Sequence, residues 1–76
     1  MNLDDQLKSK LRIETGKQLR TLREDLGLTP EIVHKDCKIS IKTLRNIEEG
    51  KGNPRILIII RLLKYYRAIE KKNPDK

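Results

Sequence analysis

Residues 39–54 read ISIKTLRNIEEGKGNP, a stretch that carries both ends of a helix and the turn after it. Ser40 has the side-chain acceptor that caps a helix start and Gly50 is the residue type that ends one, which predicts a helix over about residues 40–49. The loop GKGNP follows, closed by Pro54. Wound at about 100° per residue, this helix puts Leu44 and Ile47 on one side, with Thr43 and Glu48 at its edges. The opposite side carries Lys42, Arg45, Asn46 and Glu49, with Ile41 on the shoulder. Lys or Arg can bond the O6 and N7 of guanine, Asn can pair with adenine, and an apolar side chain can cover a thymine methyl. On an arbitrary helix the same residues are simply a solvated polar face, so the neighbouring segments have to decide.

Upstream, Leu3, Leu7 and Leu11 repeat every four residues, and Leu19, Leu22 and Leu26 resume the stripe. This predicts one helix over about residues 3–25, or two broken near Gly16, with Gly27 as the stop. Thr29 then caps a second helix to about residue 37, with Pro30 at its first position and Glu31 on the positive end of its dipole. Downstream, RILIIIRLLKYYRAIEKK predicts a helix over about residues 55–71, ended by Asn73-Pro74, with frayed residues beyond. Strict apolar/polar alternation is absent, and the fold class is therefore all-α: a compact bundle of four to five helices with an extended N-terminal helix and a long C-terminal one.

The chain has 76 residues, which is one domain at most, and its 18 Lys and Arg against 11 Asp and Glu give a net charge of +7. With a pI near 9.8, it is drawn to polyanions, chiefly nucleic acid or an anionic surface. The longest apolar run, Ile56 to Ile60, is far below the roughly 20 residues that span a bilayer. A single cysteine allows no internal disulfide, and MNLDDQLKSK has acids where a secretion signal is basic. A cytoplasmic protein is expected. His34 and Cys37 lie three apart but do not close a tetrahedral metal site, and no nucleophile, base and orienting group share a recognisable spacing. Neither a metal, a cofactor nor enzyme chemistry is expected, and there is no room for a domain that binds a small-molecule ligand.

Two short helices joined by a tight connection, the second with this polar face, are the layout of a helix-turn-helix. Over residues 15–66, GKQLRTLREDLGLT, ISIKTLRNIEEGKGNP and the apolar helix beyond resemble the prokaryotic and phage repressor-type domain, the lambda repressor-like Xre or Cro/repressor family. The resemblance implies a 1–14 helical extension ahead of a 15–72 DNA-binding unit. It implies that Val33, Ile39, Leu44 and Ile47 are buried, and that Ile41, Lys42, Thr43, Arg45 and Asn46 face DNA. Thr29, at the start of the second helix, together with Lys51 and Arg55 around the loop, would reach phosphates. Arg23 and Glu48 match a pair that usually forms an internal salt bridge. Three positions depart from the pattern: Pro30 replaces a usual glutamine, His34 a small residue between the helices, and Lys38 a turn glycine. His34 must swing outward or push the helices apart.

The C-terminal helix is apolar over a wide arc. Ile56, Ile59, Ile60, Leu63 and Tyr66 are expected to pack on the domain, while Ile58, Leu62, Tyr65 and Ile69 form a second face turned by about 130°. That second face would pack on Leu3, Leu7 and Leu11 or, as the preferred expectation, join a homodimer to which the N-terminal extension contributes. The expected function is a sequence-specific DNA-binding regulator, a repressor on double-stranded DNA. The alternative is a protein-binding adaptor or antitoxin-like module built on the same fold.

Overall fold

A computed structural model describes residues 3–72, which form four helices: α1 (Leu3–Asp25), α2 (Pro30–Cys37), α3 (Ile41–Glu48) and α4 (Ile56–Lys72). No strand occurs among the described residues, and the fold is all-α. The expected stop at Asn73-Pro74 lies outside the described residues. No helix among them is long and apolar enough to cross a membrane.

Each boundary follows from local chemistry. α1 runs through Gly16 without a break, so the single-helix alternative is the one realised. It ends in a Schellman motif: Gly27, at φ 71°, donates to Glu24 O at 3.0 Å, and Leu28 donates to Arg23 O at 3.0 Å. Thr29 Oγ1 accepts from Ile32 N at 3.2 Å and starts α2, where Pro30 occupies a position that needs no donor.

α2 closes on Lys38, which at φ 60° is the one non-glycine residue with positive φ among those described. Its N–H reaches His34 O at 3.0 Å. A Cβ in this conformation costs about 1–2 kcal/mol, partly offset by glycine's larger freedom when unfolded. Lys38→Gly should therefore raise the unfolding free energy by about 0.5–1 kcal/mol, which a urea titration would read as a higher midpoint at unchanged slope.

The core takes residues from every helix: Leu19 from α1, Val33 and Cys37 from α2, Leu44 and Ile47 from α3, Leu62 and Tyr66 from α4, with Ile39 from the turn. α1 and α2 each pack against both α3 and α4. α2 is tied to α4 by the Tyr65 hydroxyl, which donates to Asp36 Oδ2, and by Arg61, which donates to Cys37 O at 3.4 Å. Burial, followed by the bond to Asp36, pushes the Tyr65 phenol well above its ordinary range.

α4 corrects the expected facing. Leu62, assigned to a dimer interface, is 0% exposed and lies in the chain's own core; Ile58 and Tyr65 are half-buried against that core, and Ile69 is half-buried. Ile56 and Ile60, assigned to the core, are 66% and 39% exposed. The buried arc is centred on Ile58, Leu62 and Tyr66, between the two faces that the periodicity suggested. Nor do Leu3, Leu7 and Leu11 cover α4: they are exposed.

Tyr66 is fully buried, and its hydroxyl has no hydrogen-bond partner. Burial, reinforced by the nearby Glu48 carboxylate, pushes its phenol up to about 12 from an ordinary 10.0. Unfolding frees the tyrosine to ionise at its ordinary value, so this contribution is fully present below pH 10 and is lost as pH rises toward 12. Stability should fall over that alkaline window in parallel with phenolate absorbance near 295 nm, and Tyr66→Phe should remove that part of the pH dependence.

Candidate nucleic-acid interface

α3 is short, so its position depends on its ends and on what holds its inner face. Ser40 Oγ accepts from Thr43 N at 3.1 Å and donates to Thr43 Oγ1 at 2.8 Å. This fixes Thr43 half-buried, so part of its hydrogen-bonding capacity is spent inside the domain. At the other end Gly50, at φ 72°, donates to Ile47 O at 3.1 Å, and Lys51 N donates to Asn46 O at 2.8 Å. This is a second Schellman motif, and it aims the loop back along the helix.

The inner face is held by a buried fork. Arg23 Nε donates to Glu48 Oε2 at 2.7 Å, Arg23 Nη2 to Glu48 Oε1 at 3.0 Å, and Arg23 Nη1 to Leu28 O at 2.9 Å. The bond to Glu48 raises the Arg23 pKa despite the opposing cost of burial, so the guanidinium stays charged. α1 thus grips both the end of α3 and the start of the α2 connection. Closer to its middle, Gly16 lies against the backbone carbonyls of Ile47 and Glu48, a crossing too close for any side chain.

The outer face of α3 presents Lys42 and Arg45 in the open, with Ile41 and Asn46 half-buried beside them. Asn46 is less exposed than the helical winding alone suggests. It lines a crevice of about 160 Å³ with Thr43, Lys51, Gly52, Asn53 and Pro54, because the loop folds against it. Lys51 Nζ meets Glu49 Oε1 at 3.2 Å in a well-exposed pair, an arrangement worth little and readily exchanged for an incoming phosphate. Arg55 is exposed at the head of α4, where its carbonyl accepts from Ile58 and Ile59. The exposed Thr29 takes the Ile32 N–H on its side-chain oxygen and the Val33 N–H on its carbonyl, and Pro30 has no N–H, so in this first turn the Glu31 N–H is the donor left for an anion.

Arg20 was not singled out by sequence reading. It shares a crevice with Arg45 and Pro30 and pairs with Glu24 at 3.2 Å on the surface. The signal was available, since Arg20 lies one turn before Arg23. His34 is solvent-exposed and has swung outward, and its Nδ1 meets Ile39 O at 2.8 Å, which ties α2 to the turn that leads into α3. Cys37 is buried, and burial together with Asp36 raises its thiol pKa. Among the described residues no three His, Cys, Asp or Glu side chains gather into a metal site.

The arrangement is a convex, cationic helix flanked by backbone donors, suited to a groove lined with acceptors and phosphates rather than to a small molecule. A family model described as a helix-turn-helix domain matches residues 12–71. No curated protein and no solved structure matches the chain.

Proposed function

The chain belongs to the helix-turn-helix domain family, matched over residues 12–71, and from that premise we propose that it is a sequence-specific DNA-binding transcriptional regulator. In this reading it is a prokaryotic, cytoplasmic repressor of the lambda repressor-like Xre type, acting as a homodimer with α3 in the major groove. A 1–14 extension precedes the 15–72 binding unit. Ile41, Lys42, Arg45 and Asn46 approach base edges, Thr43 lies at the contact edge, and Lys51, Arg55 and the backbone around Thr29 take phosphates. Arg20 joins that phosphate set, because it shares the Arg45 crevice.

The observation that carries this reading is the division of α3. Leu44, Ile47 and Glu48 are buried and fix the helix, while Lys42 and Arg45 have no structural duty and point outward. Double replacement by alanine should weaken binding to the selected duplex by about ten- to hundredfold, with stability within about 0.5 kcal/mol of wild type. Selection from a random duplex pool supplies the site, and fluorescence titration at several salt concentrations reads the affinity. The logarithm of the association constant should fall by about 0.9 per phosphate neutralised per log unit of salt. If the pool yields no duplex that competes better than random DNA, sequence-specific regulation is wrong.

A protein-binding, antitoxin-like module is the second reading, favoured by the exposed Leu3, Leu7, Leu11, Ile56 and Leu57. Recovery of one stoichiometric partner, undisturbed by Lys42→Ala with Arg45→Ala, would support it.

A further inference from the structure

The first nine described residues, LDDQLKSKL, form a helical arm ahead of the packed body, and only Ser9 in it is even half-buried. Leu3, Leu7 and Leu11 are 70%, 50% and 66% exposed along one stripe. Three leucines spaced by four residues cover an arc of about 80° on a helix, and a chain this small seldom leaves such a row in water. Charge runs along the same arm with a sense: Asp4 and Asp5 lie in its first turn, Lys8 and Lys10 towards its end.

We infer that this arm pairs antiparallel with the arm of a second copy, about a two-fold axis through Leu7. In that register Leu7 meets Leu7 of the partner subunit, and Leu3 meets Leu11 of the partner subunit. The acidic half of each arm lies along the basic half of the other, with Asp4 on the same flank as Lys8 of the partner subunit. A parallel pairing would set acid on acid and base on base, which the charge pattern opposes.

The seat for the partner's Leu3 is already present. Leu11 lines a cavity of about 110 Å³ with Thr15, Ile47, Gly50, Pro54 and Ile59, where α1 meets the end of α3 and the start of α4. A leucine laid across Leu11 covers that opening with apolar surface. Because each arm is short, the interface falls at the small, transient end of the size range, and a dissociation constant on the order of tens of micromolar is expected in the absence of DNA.

The register also sets a distance. α3 is anchored on α1 between Gly16 and Arg23, with its midpoint near Leu19. Twelve residues separate Leu19 from Leu7, so the two bodies stand about 36 Å apart along the paired helices, at 1.5 Å per residue. Half-sites one turn apart on DNA are separated by about 34–36 Å. Only this match rests on the DNA-binding reading proposed above; the pairing stands without it.

Cysteine cross-linking tests the register on the whole chain, with wild type as the control for buried Cys37. Under a glutathione redox buffer, Leu7→Cys should form a covalent dimer by itself. Leu3→Cys and Leu11→Cys should form little separately and a covalent heterodimer when mixed. Sedimentation equilibrium should show self-association weakened about tenfold by Asp4→Lys or by Lys8→Asp, with recovery in the double exchange. All these positions are exposed, and circular dichroism of each variant should match wild type. Dimers of Leu3→Cys alone as abundant as those of the mixture would overturn the antiparallel register. A monomer at several hundred micromolar, or capture of a different protein by the arm in preference to a second copy, would overturn the pairing itself. Leu7→Asp should leave affinity for a single half-site duplex unchanged while weakening binding to the full site; loss of all duplex binding by wild type would instead sink the DNA reading.

Discussion

Replacing Arg23 with methionine should lower the unfolding free energy by about 3–5 kcal/mol, enough to leave a domain of this size largely unfolded near its working temperature. Arg23 and Glu48 are 8% and 9% exposed and share two hydrogen bonds, at 2.7 and 3.0 Å. Methionine keeps the apolar stem but strands the Glu48 carboxylate away from water. It also leaves Leu28 O without its 2.9 Å donor at the α1–α2 connection. The penalty belongs to the orphaned charge rather than to the lost pair. Arg23→Met combined with Glu48→Leu should therefore recover much of the loss, and urea unfolding of the four proteins of the cycle measures the coupling. If the double variant is as unstable as Arg23→Met, the penalty lies elsewhere in the fold.

Gly16→Ala should cost about 2–3 kcal/mol or more, although alanine is favoured over glycine inside a helix by about 1 kcal/mol. The two effects have opposite signs, and the structure decides between them. An added Cβ would run into the carbonyl oxygens of Ile47 and Glu48, which belong to backbone fixed by the α3 C-cap and cannot rotate away. Relief requires α1 and α3 to separate, which would loosen the Arg23 fork at the same crossing. Chemical unfolding again measures the loss, and the DNA titration gives an independent reading, since any shift of α3 moves Lys42 and Arg45 as a unit. A stabilised Gly16→Ala would mean that the close crossing is absent in solution.

Helix limits were legible because their signals are local. Thr29 and Pro30, Ser40, Gly27 and Gly50 each act within a few residues of themselves, and their hydrogen bonds occur where residue type alone puts them. The two sides of α3 were legible for a similar reason, since four outward residues and two inward ones leave a single sensible rotation. α4 was not. Its apolar residues span more than half of its circumference, so periodicity gives the width of the stripe but not which part of it is buried. What selects the arc around Leu62 is the position of Tyr65 over Asp36 and of Arg61 over Cys37 O, contacts 29 and 24 residues apart in sequence. The half-burial of Asn46 was not legible for a related reason: its exposure depends on a loop that turns back upon it. The Arg23–Glu48 pairing, 25 residues apart, had no signature in spacing and entered only through the family resemblance.

The outward side chains of α3 and the residues that hold α3 are different residues, with Thr43 alone shared between the cap and the surface. Exchange of the exposed Lys42 or Arg45 therefore alters the outer surface of the helix at little cost to the stability of the domain. In the DNA-binding reading proposed above, single substitutions there can shift the target site while each variant folds as well as its predecessor, whereas a change of Gly16, or of Arg23 or Glu48 alone, is felt first in stability.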